Sequence, residues 1–407
     1  MPRVVSGYRA VPRTNPTTRR DSYTTGIAPY TDRAFVMPNA TPLETFTAGS
    51  ETAVDVARVE RQLRELWQLE AESQKGQITR ASLLNLVAYT ETDAARDHAT
   101  EVISSLTSRH PCRAIVLLCR ASGPLAAGVN PTTAGEPPAL QLPDELSASI
   151  TAHCHLAGGG GKQVCCEQIS IHASGKSVAH VAAAVLPLLE SDLPTVVWWQ
   201  GNFLLRPDPL KRLSTVADRI FFDTSLWPDA EQYLPALSRT IEALRGCSFA
   251  DLSWTRLGLW RRLAAEAFDE PHCRAMLPAV RTVKVEHGRG EGARLRARLL
   301  GSWFAAQVGW TPAAARDRVQ LIARDAEDAA HVGILSFTMT GDNVEVRVFK
   351  SHGERTASAV VNVPDACGLP RKRAFWPKDD ASLLSQELDR TAPHKVYERA
   401  LALAATL

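Results

Sequence analysis

Three cysteines and two histidines fall within fourteen residues: His153, Cys154 and His155, then four glycines at 158–161, then Cys165 and Cys166. Thiolate and imidazole are the ligands of structural zinc, and paired thiols are the substance of redox switches, so the spacing has to decide. The flanking segments 145–156 and 163–173 alternate apolar and polar residues as strands do, and the glycines suit the turn of a hairpin. A turn centred on the glycines sets Cys154 opposite Cys165 and His153 opposite Cys166. Successive strand residues point to opposite faces, so His153, His155 and Cys166 share one face while Cys154 and Cys165 share the other. No four ligands converge, and no metal is expected. Directly opposed residues stand about 4.5–5.5 Å apart, within reach of a disulfide. Cys154 and Cys165 are therefore the candidate reversible pair, with Cys166 beside them. The competing reading is that these thiols are buried, small and inert.

Cys112 is a further redox candidate. Arg109, His110 and Arg113 surround it in sequence, and nearby positive charge favours thiolate. It cannot bond Cys119 along one strand, because seven residues of rise is about 23 Å. The other chemical signals are weaker. The glycine run before Lys162 lacks the spacing and the following Ser or Thr of a phosphate loop. Gly288, Gly290 and Ala293 fit GxGxxA between a strand and a helix, but no acid ends a strand about 20 residues on. A glycine turn opening a helix explains those residues without a ligand. Trp254, Arg256 and Arg261 lie on the apolar half of a helix spanning 253–268, which suggests either ion pairs with acids at a domain edge or a partner-binding surface. GxSxG, HExxH and SxxK signatures are absent, so no catalytic residue and no cofactor is assigned.

The elements that must position these residues alternate. Residues 52–72, 92–108, 177–189, 231–244, 253–268 and 291–308 carry helical periodicity. Strand-like runs fall at 82–89, 112–119, 145–156, 163–173, 194–200 and 219–223, then at 280–286, 319–323, 333–339, 344–350 and 357–363, before two terminal helical stretches. Residues 121–143 are rich in Pro, Gly and Ala and read as a long loop. The pattern predicts an α/β protein of two domains. The first, at 46–245, has a largely parallel sheet with helices, and the second, at 246–407, is α/β to α+β. Residues 1–45, with Arg3, Arg9, Arg13, Arg19 and Arg20 and no acid before Asp21, read as a disordered Arg/Ser/Thr-rich tail.

The 407 residues are 45% hydrophobic and 22% charged with a net charge of +2, the composition of a soluble globular protein with no field drawing it to nucleic acid or membrane. Eight cysteines without a secretory leader point to a cytoplasmic protein whose thiols are mostly reduced.

Several stretches together resemble the OpcA family of glucose-6-phosphate dehydrogenase assembly proteins, in the longer cyanobacterial form. They are TR and LLNLV at 79–87, RHPCRAI at 109–115, DLPTVVWW at 192–199, DRIFFD at 218–223, DLSWTR at 251–256 with Trp260 and Arg261, and LLGSWFAAQVG at 299–309. Cys112 stands where many members have Ser. The resemblance implies a non-catalytic assembly factor and allosteric activator whose partner is glucose-6-phosphate dehydrogenase, acting in the oxidative pentose phosphate pathway. Thioredoxin is the candidate reductant if the cysteines are redox-active. The second reading is an α/β enzyme binding a sugar phosphate or dinucleotide through the Gly288 loop and Arg256 with Arg261.

Overall fold

The computed structural model describes residues 35–36, 46–47, 59–65, 68, 78–121, 142–156, 163–290, 292–324, 333–350, 355–364 and 370–407. The glycine run at 158–161, nearly all of the loop expected at 121–143 and residues 1–34 of the expected tail lie outside them.

The first sheet has ten strands. They are β1 (Phe35–Val36), β2 (Phe46–Thr47), β3 (Ile78–Arg80), β4 (Leu84–Thr90), β5 (Cys112–Arg120), β6 (Glu145–Leu156), β7 (Gln163–Ser174), β8 (Thr195–Trp199), β9 (Arg219–Phe222) and β10 (Ser248–Asp251). Their order is β1-β6-β7-β5-β4-β8-β9-β10, with β2 also on β6 and β3 on β7. From β7 to β10 every pairing is parallel, while β6 runs antiparallel to β7. Parallel strands need crossovers, and the chain supplies α2 (Asp93–Leu106), α3 (Val181–Val185), α4 (Pro207–Leu213) and α5 (Ala230–Ala243) between them. A shorter helix, α1, covers residues 59–65.

Because helices flank both faces, β4 is buried at all seven positions and the VVWW of β8 throughout. On one face Val87, Tyr89, Ile115, Leu117, Val197 and Trp199 enter the main core. On the other, Leu86, Ala88, Ala114, Val116 and Trp198 meet α2. Each of the larger apolar side chains contributes about 1.5–3 kcal/mol of burial.

Two expected helices are broken. Residues 175–188 form two 3-10 turns around α3, and Pro187, lacking an N–H, stands in the second. The helix expected at 253–268 is divided at Leu257 into α6 (Leu252–Arg256) and α7 (Gly258–Glu266). After α8 (Pro271–Ala275) comes a second, mixed sheet.

That sheet comprises β11 (Val280–His287), β12 (Val319–Ala323), β13 (Ile334–Gly341), β14 (Val344–Lys350), β15 (Thr356–Asn362) and β16 (Arg371–Ala374), in the order β12-β11-β13-β14-β15-β16. Between the parallel pair β11 and β12 run α9 (Ala293–Gln307) and α10 (Pro312–Arg318). The remaining pairings are antiparallel. Two terminal helices follow, as expected: α11 (Asp380–Leu388) packs on α2 and α6 beside the first sheet, and α12 (Lys395–Ala404) packs on α9 and α5. The architecture is α/β with two mixed sheets, and residues 34–407 form one compact unit.

Candidate functional site

The hairpin register is the one its glycine turn predicts. Cys154 is paired with Cys165 and His153 with Cys166. Cys154 and Cys165 are joined by a disulfide, with their Cα atoms 4.1 Å apart. The bond is well covered: Cys165 is inaccessible and Cys154 is 9% exposed. On its open side β6 is paired with β1, so Phe35 stands opposite Cys154. His153 is buried and its Nε2 meets Gln168 Oε1 at 3.1 Å.

Behind the disulfide lies a buried ion cluster that sequence reading did not single out. Arg113, on β5, pairs with Glu167, which is two residues from Cys165 on the same face of β7. Both are buried, at 3% and 0% exposure. The same guanidinium meets Glu190 at 2.9 Å, donates to the Leu188 carbonyl at 3.0 Å and reaches Glu60 of α1 at 3.3 Å. One arginine thus ties α1, two strands and the 188–190 turn together.

The free thiols behave differently from the expectation for Cys112. Its flanking cations turn elsewhere: Arg109 to Asp389, His110 to Ser385 and Arg113 to Glu167. Cys112 is buried, and burial pushes its thiol far up, with Cys166 adding to the effect. Burial likewise raises Cys166 to about 11, and Cys119 and Cys247 to about 12. Thiols so protonated at neutral pH are poor nucleophiles.

A second polar centre sits at the carboxyl ends of β9 and β10. In an open α/β sheet this is the usual place for a ligand. Each strand ends in Asp-x-Ser, so Asp223 and Asp251 cap the turns that follow. Asp223 Oδ1 accepts from the Ser225 N–H at 3.0 Å, and Asp251 Oδ1 accepts from the Ser253 N–H at 2.9 Å. The turns interlock. Ser253 Oγ donates to Asp223 at 2.7 Å, Thr224 Oγ1 donates to Asp251 at 2.7 Å, and the Tyr397 hydroxyl of α12 donates to Asp251 at 3.1 Å. Burial opposes charge on Asp223, yet Arg256 and the two serine hydroxyls hold it below the usual carboxylate range. Burial, reinforced by the Asp223 charge, raises Asp251 to about 7.

This network contains the residues expected at a partner surface. Trp254 is 1% exposed, stacked under Arg261, whose guanidinium carbon lies 3.6 Å from its ring centre. Arg261 donates to the Trp254 carbonyl at 3.2 Å, and burial, helped by Arg390, lowers it to about 9. Arg256 bridges Asp223 and, at 2.9 Å, Asp380 of α11. As placed, the three join α6, α7 and α11 inside the molecule, because the break at Leu257 turns α7 and its Arg261 back over Trp254. Nearby, Glu387 accepts from Thr255 at 2.7 Å, lies 2.6 Å from His394, and pairs with Arg219. The doubled strand-Asp-x-Ser pattern was the signal for Asp223 and Asp251. Nothing local marks Glu387 or Glu167, whose partners lie far off in sequence.

In the Gly288 loop, Gly292 adopts φ +63°, and a Cβ there would stand 2.3 Å from that of Ser225. The glycine therefore serves close packing on the Asp223 turn. The Gly288 N–H donates to Gly333 at 2.9 Å.

Fold and site define an α/β protein of two mixed sheets whose strand ends are filled by its own carboxylates and arginines. A model of the glucose-6-phosphate dehydrogenase subunit N-terminal domain matches residues 103–239, and one of its C-terminal domain matches residues 247–401. The chain belongs to the OpcA family. An OxPP cycle protein OpcA of Nostoc punctiforme is 23% identical, over 75% of this chain and 67% of that one. Its counterpart in Synechocystis is 26% identical, over 52% of this chain and 40% of that protein, so the match spans less than half of the longer relative. Among solved structures, an aldose-aldose oxidoreductase of Caulobacter crescentus aligns at a TM-score of 0.38 and 11% identity, over 78% of this chain and 94% of that one. No helix among the described residues is long and apolar enough to cross a membrane.

Proposed function

We propose that this chain is a non-catalytic, cytoplasmic assembly factor and allosteric activator of glucose-6-phosphate dehydrogenase in the oxidative pentose phosphate pathway. The observation that carries the reading is the match to both dehydrogenase-subunit domain models, in order, from residue 103 to 401. The gap between those matches also supports a domain division near residue 245. The filled strand ends support a non-catalytic role, since Asp223, Asp251 and Arg256 bond one another and neighbouring elements. Activation is a linkage: binding the active dehydrogenase more tightly shifts its population toward that state.

Redox tuning is part of the proposal, and the Cys154–Cys165 bond supports it. Reduction takes two electrons and two protons from a dithiol reductant of the thioredoxin class, which leaves as its own disulfide.

Co-purification tests the reading. The chain is expected to retain its cognate dehydrogenase on a column and to bind neither glucose 6-phosphate nor a nicotinamide dinucleotide alone. Binding of either small molecule without the dehydrogenase would favour an enzyme using the Gly288 loop.

A further inference from the structure

The last strand of the second sheet carries features that its packing does not use. Among the described residues β16 ends the sheet, paired on one side with β15. The eight residues from Arg371 to Lys378 (RKRAFWPK) hold four cations and no acid, in a chain whose whole net charge is +2. Alternation divides their roles. Arg371 and Arg373 bond Glu266 of α7, Arg373 while remaining exposed, and Phe375 packs edge-on to Trp260 with ring centres 6.4 Å apart. Lys372 and Ala374 point the other way and are exposed. Trp376 follows at 59% exposure, held by Arg355 at 4.8 Å from its ring centre. On the same face of the sheet, exposed Arg347 of β14 covers the ring of half-buried Phe349 at 5.3 Å.

Charged residues and a nearby proline are common defences of an edge strand against stray pairing, and Lys372 and Pro377 fit that role. An exposed tryptophan has no part in such a defence. It adds apolar area where the defence removes it, and Trp with Arg is the pairing over-represented at binding hot spots. From the open edge, the local positive charge and this anchored ring together, we infer that β16 docks an acidic, extended segment of a partner protein. The segment adds as a strand beside β16, an acid facing Lys372 and an apolar side chain packing on Trp376. Resting on the function proposed above, the segment belongs to the dehydrogenase.

The test titrates the full-length chain with the dehydrogenase at low and moderate salt, using wild type, Trp376→Ala, Lys372→Glu and the control Leu226→Ser. Leu226 is a large exposed side chain, 54% accessible, outside the patch. Trp376→Ala is expected to weaken binding about 10-fold or more. Lys372→Glu should weaken it several-fold and flatten its salt dependence. The control should bind like wild type, and all four should melt together because the altered side chains are exposed. Wild-type binding unchanged by both patch variants, or lost in the control, overturns the docking site and leaves the proposed function standing. No wild-type binding at all overturns both. A single-stranded oligonucleotide bound as tightly as the dehydrogenase, with the same dependence on Trp376, would make the patch a polyanion site and also overturn the inference.

Discussion

Asp251 receives four hydrogen bonds, from the Thr224 and Ser253 amides, the Thr224 hydroxyl and Tyr397. Burial and the Asp223 charge raise its carboxyl to about 7, against about 4 in an unfolded chain. Between those values the folded protein holds a proton that the unfolded chain has released, so stability falls as pH rises from about 4 through about 7. Asp251→Asn should flatten that fall, which urea midpoints measured across the range will show. Arg113 makes the opposite case, a buried cation fully paired. Arg113→Ala removes the guanidinium paired with buried Glu167 and should cost about 3–5 kcal/mol in the same assay, while Arg113→Met with Glu167→Leu should recover most of it. Residues of these two kinds differ in legibility. Asp223 and Asp251 each precede a turn by the local Asp-x-Ser pattern, which sequence contains. Arg113 stands in a family-matching segment, but Glu167 and Glu60 lie 54 and 53 residues away, and only the fold joins them. Basic neighbours in sequence suggested a reactive Cys112, but alternation sends Arg113 to the other face and leaves the thiol in an apolar core.

The cysteine hairpin shows how far one element can be read unaided. Alternation on both strands, with a symmetric glycine turn, fixes which residues face each other, and Cys154 meets Cys165 as that geometry requires. Replacing both by Ser removes a cross-link closing about a dozen residues and should cost roughly 2–3 kcal/mol under oxidising conditions. If the pair also tunes the partner, as proposed, activation by the wild type should differ between oxidising and reducing conditions. Activation by the double variant should not. Other elements escaped reading for local reasons. The helix expected at 253–268 keeps its apolar spacing across Leu257, so the break is invisible without the Trp254–Arg261 stack that it permits. Strand β16 is missed because its Arg-Lys-Arg-Ala sequence has no apolar alternation to report.

At the scale of the molecule, the α/β class was legible from the alternation of strands and helices, but the closure of the strand ends was not. The C-terminal helices return to the strand ends of the first sheet and the helix that follows, where Asp380 meets Arg256, Glu387 meets Arg219, and Tyr397 meets Asp251. Such a closure fills the strand ends with the protein's own side chains and turns attention from an internal cleft to the outer surface, as an assembly factor requires. The most direct measurement of that account is kinetic. The chain is added in increasing amounts to its cognate glucose-6-phosphate dehydrogenase while the rate is followed against glucose 6-phosphate. A lower substrate requirement or a higher turnover, saturating with the chain and absent when the chain is assayed alone, is the predicted result. An unchanged rate at saturating partner, or turnover by the chain itself, would contradict it.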